Sequence, residues 1–188
     1  MSIKIAIMAS GSGSNAENIA LYFKEKGSAE VTFILSNKKN AYVLERAKKL
    51  NIRSVVFSKQ EFEQSNQLLD LFKKEEIDFI VLAGFLLRVP DNLLRAYPNK
   101  IVNIHPALLP KFGGKGMYGD VVHEAVVAAG ETQSGITIHY ISAEYDSGSV
   151  IFQATCPVLA SDTAADVAAK VHQLEYQYYP QIIEKLIL

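Results

Sequence analysis

Five short apolar runs, each followed by a polar turn and a stretch of helical spacing, fill the chain from Ile3 to His105. They are Ile3–Met8, Glu30–Asn37, Arg53–Phe57, Asp78–Gly84 and Lys100–His105. Strands separated by helices run parallel, and a parallel sheet must be covered on both faces. The run Asp78–Gly84 is apolar without alternation, as a central strand buried on both sides requires. Between the strands, "NAENIALYFKEKG" reads as a helix capped by Ser14 or Asn15 and ended by Gly27. "AYVLERAKKLN" sets Val43, Leu44, Ala47 and Leu50 on one face. "KQEFEQSNQLLDLFKKEE" predicts one charged amphipathic helix, and "PDNLLRAY" carries Pro90 at a helix's first turn.

The pattern changes after His105. An irregular stretch to Tyr118 leads into a helix ending at Gly130. Two β-rich runs, Ser134–Ile141 and Ser149–Val158, flank "SAEYDSG" and predict an antiparallel pair. A last helix is expected from a cap at Ser161 or Asp162 towards Tyr179, with Pro180 disturbing it. The chain of 188 residues suits one domain over 1–188. The expected fold class is α/β, a single doubly wound, mostly parallel sheet with antiparallel C-terminal strands.

Charge narrows the partners. Nineteen basic against twenty acidic side chains leave a formal charge of -1. No such field recruits nucleic acid or a membrane surface, so neither is expected as a partner. The apolar run Ile5–Ala9 is too short for a signal peptide, and no run approaches the roughly 18 residues of a membrane span. Cys156 stands alone, which excludes an internal disulfide and points to a reducing compartment, the cytoplasm. The four histidines are scattered, so no metal ligand set is expected.

Two motifs carry chemistry. Gly11, Gly13 and Ala16 match G-x-G-x-x-A between the first strand and helix, where backbone N–H groups and the helix dipole attract a phosphate. Ser12, Ser14 and Asn15 add polar side chains. A bound dinucleotide would need an acid after the second strand, where "LSNKKN" has none. Lys38 and Lys39 leave a weaker NADP reading open. The second motif is "IVNIHPALLPKF". Asn103 and His105, two apart on a strand, project to the same side at its carboxyl end. There an amide and an imidazole could stabilise the oxyanion formed when a carbonyl is attacked. The plainer reading is a polar strand end that ties down its loop. Asp146, in the turn "SAEYDSGS", reads as a turn residue unless the fold returns it beside His105. His139 reads as a sheet histidine near the site, His123 and His172 as helix-surface or packing residues, and Cys156 as a small filler.

Taken together, "SGSGSN", "SNK", "LAGFL", "NIHPALLPKF", "HY" and "YDSGSVI" resemble the phosphoribosylglycinamide formyltransferase family over nearly the whole chain. The resemblance implies a Rossmann-like formyltransferase fold without metal. It implies transfer of the formyl group of 10-formyltetrahydrofolate to the amine of phosphoribosylglycinamide. By position it implies Asn103, His105 and Asp146 as the catalytic trio. Gly13, Ser14, Asn15 and Glu175 would hold the ribonucleotide. Leu86, Leu87, Arg88 and Val89, with Asn103 and with Ser142, Ala143, Glu144, Tyr145 and Asp146, would enclose the pterin. A monomer or homodimer is expected. Two departures stand out: the longer, glycine-rich "KFGGKGMYGDVV", and "FLLRVP", which places Arg88 one position late. Lys115 and Tyr118 in the first of these gain no assigned role. Methionyl-tRNA formyltransferases and formyltetrahydrofolate hydrolases share the chemistry but are expected to carry additional domains.

Overall fold

The computed structural model describes residues 2–188. It contains one seven-stranded sheet in the order β3-β2-β1-β4-β5-β6-β7. The parallel part is β1 (Ile3–Met8), β2 (Ala29–Ser36), β3 (Arg53–Val56), β4 (Phe79–Leu82) and β5 (Ile101–His105). β6 (Gln133–Tyr140) pairs antiparallel with β5, and β7 (Val150–Pro157) antiparallel with β6. The chain winds outward from β1 in one direction and then, through β4, in the other. Ligands in such sheets bind outside the carboxyl ends of the strands where the winding reverses.

Alternation along the strands feeds two cores. Ile5, Ile7, Val81 and Val102 pack with the helices α1 (Ser14–Lys26), α2 (Tyr42–Lys49), α6 (Asp120–Ala128) and α7 (Ala164–Ile187). Ala6, Met8, Ile80 and Ile101 face α3 (Lys59–Gln64), α4 (Gln67–Lys74) and α5 (Asp91–Ala96). No described helix is long and apolar enough to cross a membrane.

Three local expectations give way, two of them to side-chain hydrogen bonding and one to a left-handed glycine. The segment after Ser58 is two helices, not one. Ser65 Oγ donates to Glu61 O (2.6 Å) and accepts from Gln67 N (3.3 Å), so its hydroxyl competes with the helical ladder and Ser65 turns extended. The cap of α1 is Gly13, in the left-handed region at φ 73°, rather than Ser14 or Asn15. The last helix starts at Thr163, which forms a capping box with Asp166, and it continues through Pro180 to Ile187. Proline lacks the N–H that would bond Tyr176 O, and Asn18 Nδ2 on α1 bonds that carbonyl instead (2.9 Å). The missing helical bond is replaced from a neighbouring element, so the helix does not break.

Tyr179 fixes this helix to the sheet. Its ring is fully buried and its hydroxyl donates to Leu82 O (2.8 Å), with Val102 O at 3.3 Å. One helical turn earlier, Glu175 is thereby held over the ends of β4 and β5.

Candidate active site

The crevice at the carboxyl ends of β1, β4 and β5 is a cavity of about 580 Å³. That volume is typical of small-molecule sites. One wall is the turn after β1. Ser10, nearly fully buried, knits three loops together. Its N–H donates to Gly84 O (2.9 Å), and its hydroxyl donates to Asn37 Oδ1 (2.6 Å) and accepts from Leu86 N (3.0 Å). Asn37 is thus occupied at the position where a dinucleotide site would need a ribose acceptor. Gly13, Ser14 and Asn15 then open α1 against the cavity. A Cβ on Gly13 would meet Val43 Cγ2 at 2.2 Å, so only glycine lets this turn close on α2.

Against the turn stands Glu175, buried on α7. Asn15 Nδ2 and His172 Nδ1 both donate to its Oε2, each at 2.9 Å. That bond holds the His172 proton and raises its pKa. His123 on α6 lies edge-on to His172 with ring centroids 6.3 Å apart, and burial lowers its pKa. Asn15 Oδ1 and His123 Nδ1 are buried without hydrogen-bond partners. His172, half exposed on α7, and His123, buried on α6, fit the helix-surface and packing readings and in addition line the cavity. The signal for His172 was available: three residues before Glu175, it shares that residue's helix face.

The floor holds Asn103 and His105. His105 is buried; its Nε2–H donates to Phe112 O (2.7 Å), and its Nδ1 lies 3.5 Å from Asp146 Oδ2. Asp146 sits in a left-handed conformation (φ 53°), and its Oδ2 accepts from Gly114 N (2.9 Å). The fold has returned this turn aspartate to the histidine 41 positions before it (146 − 105). Asn103 Nδ2 donates to His139 Nε2 (3.2 Å), and burial lowers the His139 pKa.

Beside Asn103 the cavity opens into a recess of about 50 Å³ walled by Leu87, Arg88, Val89, Ser142, Glu144 and the Asp146 turn. Leu86 and Tyr145 also line the main cavity; Ala143 lines neither space. Its carbonyl instead accepts from Arg88 Nε (2.5 Å), which clasps the two segments together. The glycine-rich stretch from Gly114 to Gly119 covers the remaining side and brings Lys115 and Tyr118 to the cavity. No group of three or more described His, Cys, Asp or Glu side chains is placed to hold a metal ion.

Residues 3–183, which include every one of these walls, match the sequence model of the formyl transferase family. The chain belongs to that family. Among its formyl transferase relatives, phosphoribosylglycinamide formyltransferase of Bacillus subtilis is 34% identical, the alignment covering 98% of this chain and 94% of that protein. The chloroplastic enzyme of that name from Vigna unguiculata is 42% identical over 97% of this chain. The chain spans 60% of the length of the Vigna protein and 64% of its Arabidopsis thaliana counterpart. The crystal structure of the Streptococcus pneumoniae phosphoribosylglycinamide formyltransferase superposes with a TM-score of 0.86 at 40% identity, covering 99% of both chains.

Proposed function

We propose that residues 1–188 act as one cytoplasmic domain that transfers a formyl group from 10-formyltetrahydrofolate to the amine of phosphoribosylglycinamide. The observation that carries this reading is the meeting of Asn103, His105 and Asp146 on a floor between an anion-binding turn and a second recess. The main cavity has room for a phosphorylated ribose, and the recess at its edge offers walls for one end of a heterocycle, with amide and imidazole donors between them.

The substrate phosphate is assigned to the turn Gly13–Asn15, where α1 presents its N-terminus. Both protein bonds to Glu175 go to Oε2, so its Oε1 is free to accept a ribose hydroxyl. The pterin is assigned to the segments Leu86–Val89 and Ser142–Asp146, which wall the recess beside Asn103 and border the main cavity. The amine nitrogen bonds to the formyl carbon, and the carbonyl oxygen becomes an oxyanion. Asn103 Nδ2 and the His105 ring donate to that oxygen, with Asp146 as the counter-ion of the imidazolium. His105 Nε2 exchanges Phe112 O for the oxyanion. The carbon–N10 bond then breaks, and the proton lost by the amine ends on N10. Formyl-glycinamide ribonucleotide and tetrahydrofolate leave.

The test mixes purified protein with the ribonucleotide and formyl-folate and follows both products, with His105→Ala beside the wild type. Turnover that falls about 10²–10⁴-fold in the variant supports the assignment. Folate release without formylated ribonucleotide would make the chain a hydrolase. Unchanged turnover in the variant would remove His105 from the chemistry.

A further inference from the structure

An asparagine amide is nearly symmetric in shape, and rotating it by 180° exchanges a double donor for an acceptor. At Asn103 the choice decides the chemistry, because a carbonyl oxygen facing a developing oxyanion repels it. Something must select the amide's orientation, and the register of β5 and β6 supplies it. Asn103 and His139 are directly opposed across the antiparallel pair, so their side chains leave the same face. His139 is fully buried, and its Nδ1 lies 2.9 Å from Tyr140 O. A carbonyl can only accept, so Nδ1 carries the proton. In the neutral ring Nε2 then has only a lone pair. The Asn103 atom 3.2 Å from that lone pair must be the amide nitrogen.

From this geometry we infer that His139 is a positioning residue, a neutral Nδ1–H imidazole that orients the Asn103 amide so that its second N–H faces the reacting carbonyl. The inference rests on the oxyanion role proposed above for Asn103. The register shift between Ile138 and His139, where β6 meets β7, sets the ring at an irregularity of the sheet of the kind that re-aims a side chain beside a site. Two other groups face the ring. Asp146 Oδ1 stands 3.6 Å from Nε2, beyond the 3.2 Å of the amide, and His105 is the next residue on the same face of β5, two positions after Asn103. A proton on Nε2 would turn the ring towards Asp146 and force the amide to present its oxygen instead. The two arrangements are therefore mutually exclusive.

The experiment compares steady-state turnover of phosphoribosylglycinamide and formyl-folate by wild type, Asn103→Ala, His139→Leu, His139→Gln and the double variant Asn103→Ala/His139→Leu. Nitrogen NMR of the His139 ring in the unsubstituted protein accompanies it. His139→Leu should lower kcat about 10- to 100-fold with little change in either KM, since it misdirects a group without removing a substrate contact. Glutamine, which can place an acceptor near the Nε2 position, should recover most of that loss. The double variant should be no slower than Asn103→Ala alone, and Nε2 should show the unprotonated type of shift. Wild-type turnover by His139→Leu, a loss that multiplies with that of Asn103→Ala, or a protonated Nε2 in the resting enzyme would overturn the inference. Should His139→Leu fail to fold, His139→Gln and the ring spectrum decide. Wild-type turnover by Asn103→Ala would instead sink the oxyanion role itself, and the two failures are separable on that variant.

Discussion

Two glycine-rich segments line the cavity, and similar composition serves opposite ends. In the turn after β1, Gly13 is needed twice: its φ of 73° is left-handed, and a Cβ would fall 2.2 Å from Val43 Cγ2 and 2.8 Å from Val43 Cα. In the segment Gly114–Gly119, three glycines have φ of 98°, 89° and 56°, but a Cβ on any of them meets nothing within 4 Å. The first is a cradle fixed by packing. The second is held by its backbone conformation and by hydrogen bonds of its backbone: Gly114 N to Asp146, Met117 N to Gly114 O and Val122 N to Gly119 O. Glycine content alone does not distinguish a turn closed by packing from a segment whose glycines face open space; the neighbours do.

The contrast can be broken most sharply at Gly13→Ala. Left-handed strain of about 1–2 kcal/mol adds to about 1–3 kcal/mol of overpacking against α2. The urea midpoint should drop clearly and ribonucleotide binding should be lost. A midpoint unchanged by the substitution would mean that α2 yields and the seat is not rigid. Next in size is Gly116→Ala, which incurs only the strain, about 1–2 kcal/mol, because its added Cβ would meet nothing within 4 Å. Its midpoint should move less than that of Gly13→Ala, while turnover should suffer more than stability does. Equal midpoint shifts would erase the distinction. Smaller still is Gly11→Ala, whose Cβ would enter open space without a left-handed φ. Stability should stay within about 0.5 kcal/mol of wild type while KM for the ribonucleotide rises. An unchanged KM would move the phosphate away from this turn.

The smallest effect is electrostatic and lies where the two segments meet α6 and α7. His172, bonded to Glu175, should titrate above 6.5, whereas buried His123 and His139 should titrate below it. A histidine with a raised pKa stabilises the fold fully below 6.5, and that contribution fades as pH climbs through the raised value. For His123 and His139 the unfolded chain takes up protons first, so their contribution is present above 6.5 and is lost as pH falls through the lowered values. Proton NMR titration should show the order, and Glu175→Gln should bring the His172 midpoint down. A His172 midpoint unmoved by that change would remove Glu175 as its cause.

How much could be read beforehand divides along the range of the interactions. The alternation of apolar runs and helical stretches is a local pattern, so the mostly parallel sheet with antiparallel last strands was legible in it. So was the shared face of Asn103 and His105, which follows from a two-residue strand period. The break between α3 and α4 and the passage of α7 through Pro180 were missed. Each turns on one hydrogen bond whose partner the pattern does not name: Ser65 with Glu61 in the first case, Asn18 with Tyr176 in the second.

The candidate site shows the same division. The sequence by itself determined the order of strands and helices, the glycine turn and the polar pair ending β5, because each is written within a few adjacent residues. Only the tertiary structure decided that Asp146 stands 3.5 Å from His105, that His139 faces Asn103, and that His123 and His172 gather beside Glu175. Those encounters depend on strand register and helix docking. Both come from burying the two cores at once, and no single stretch of the chain records them.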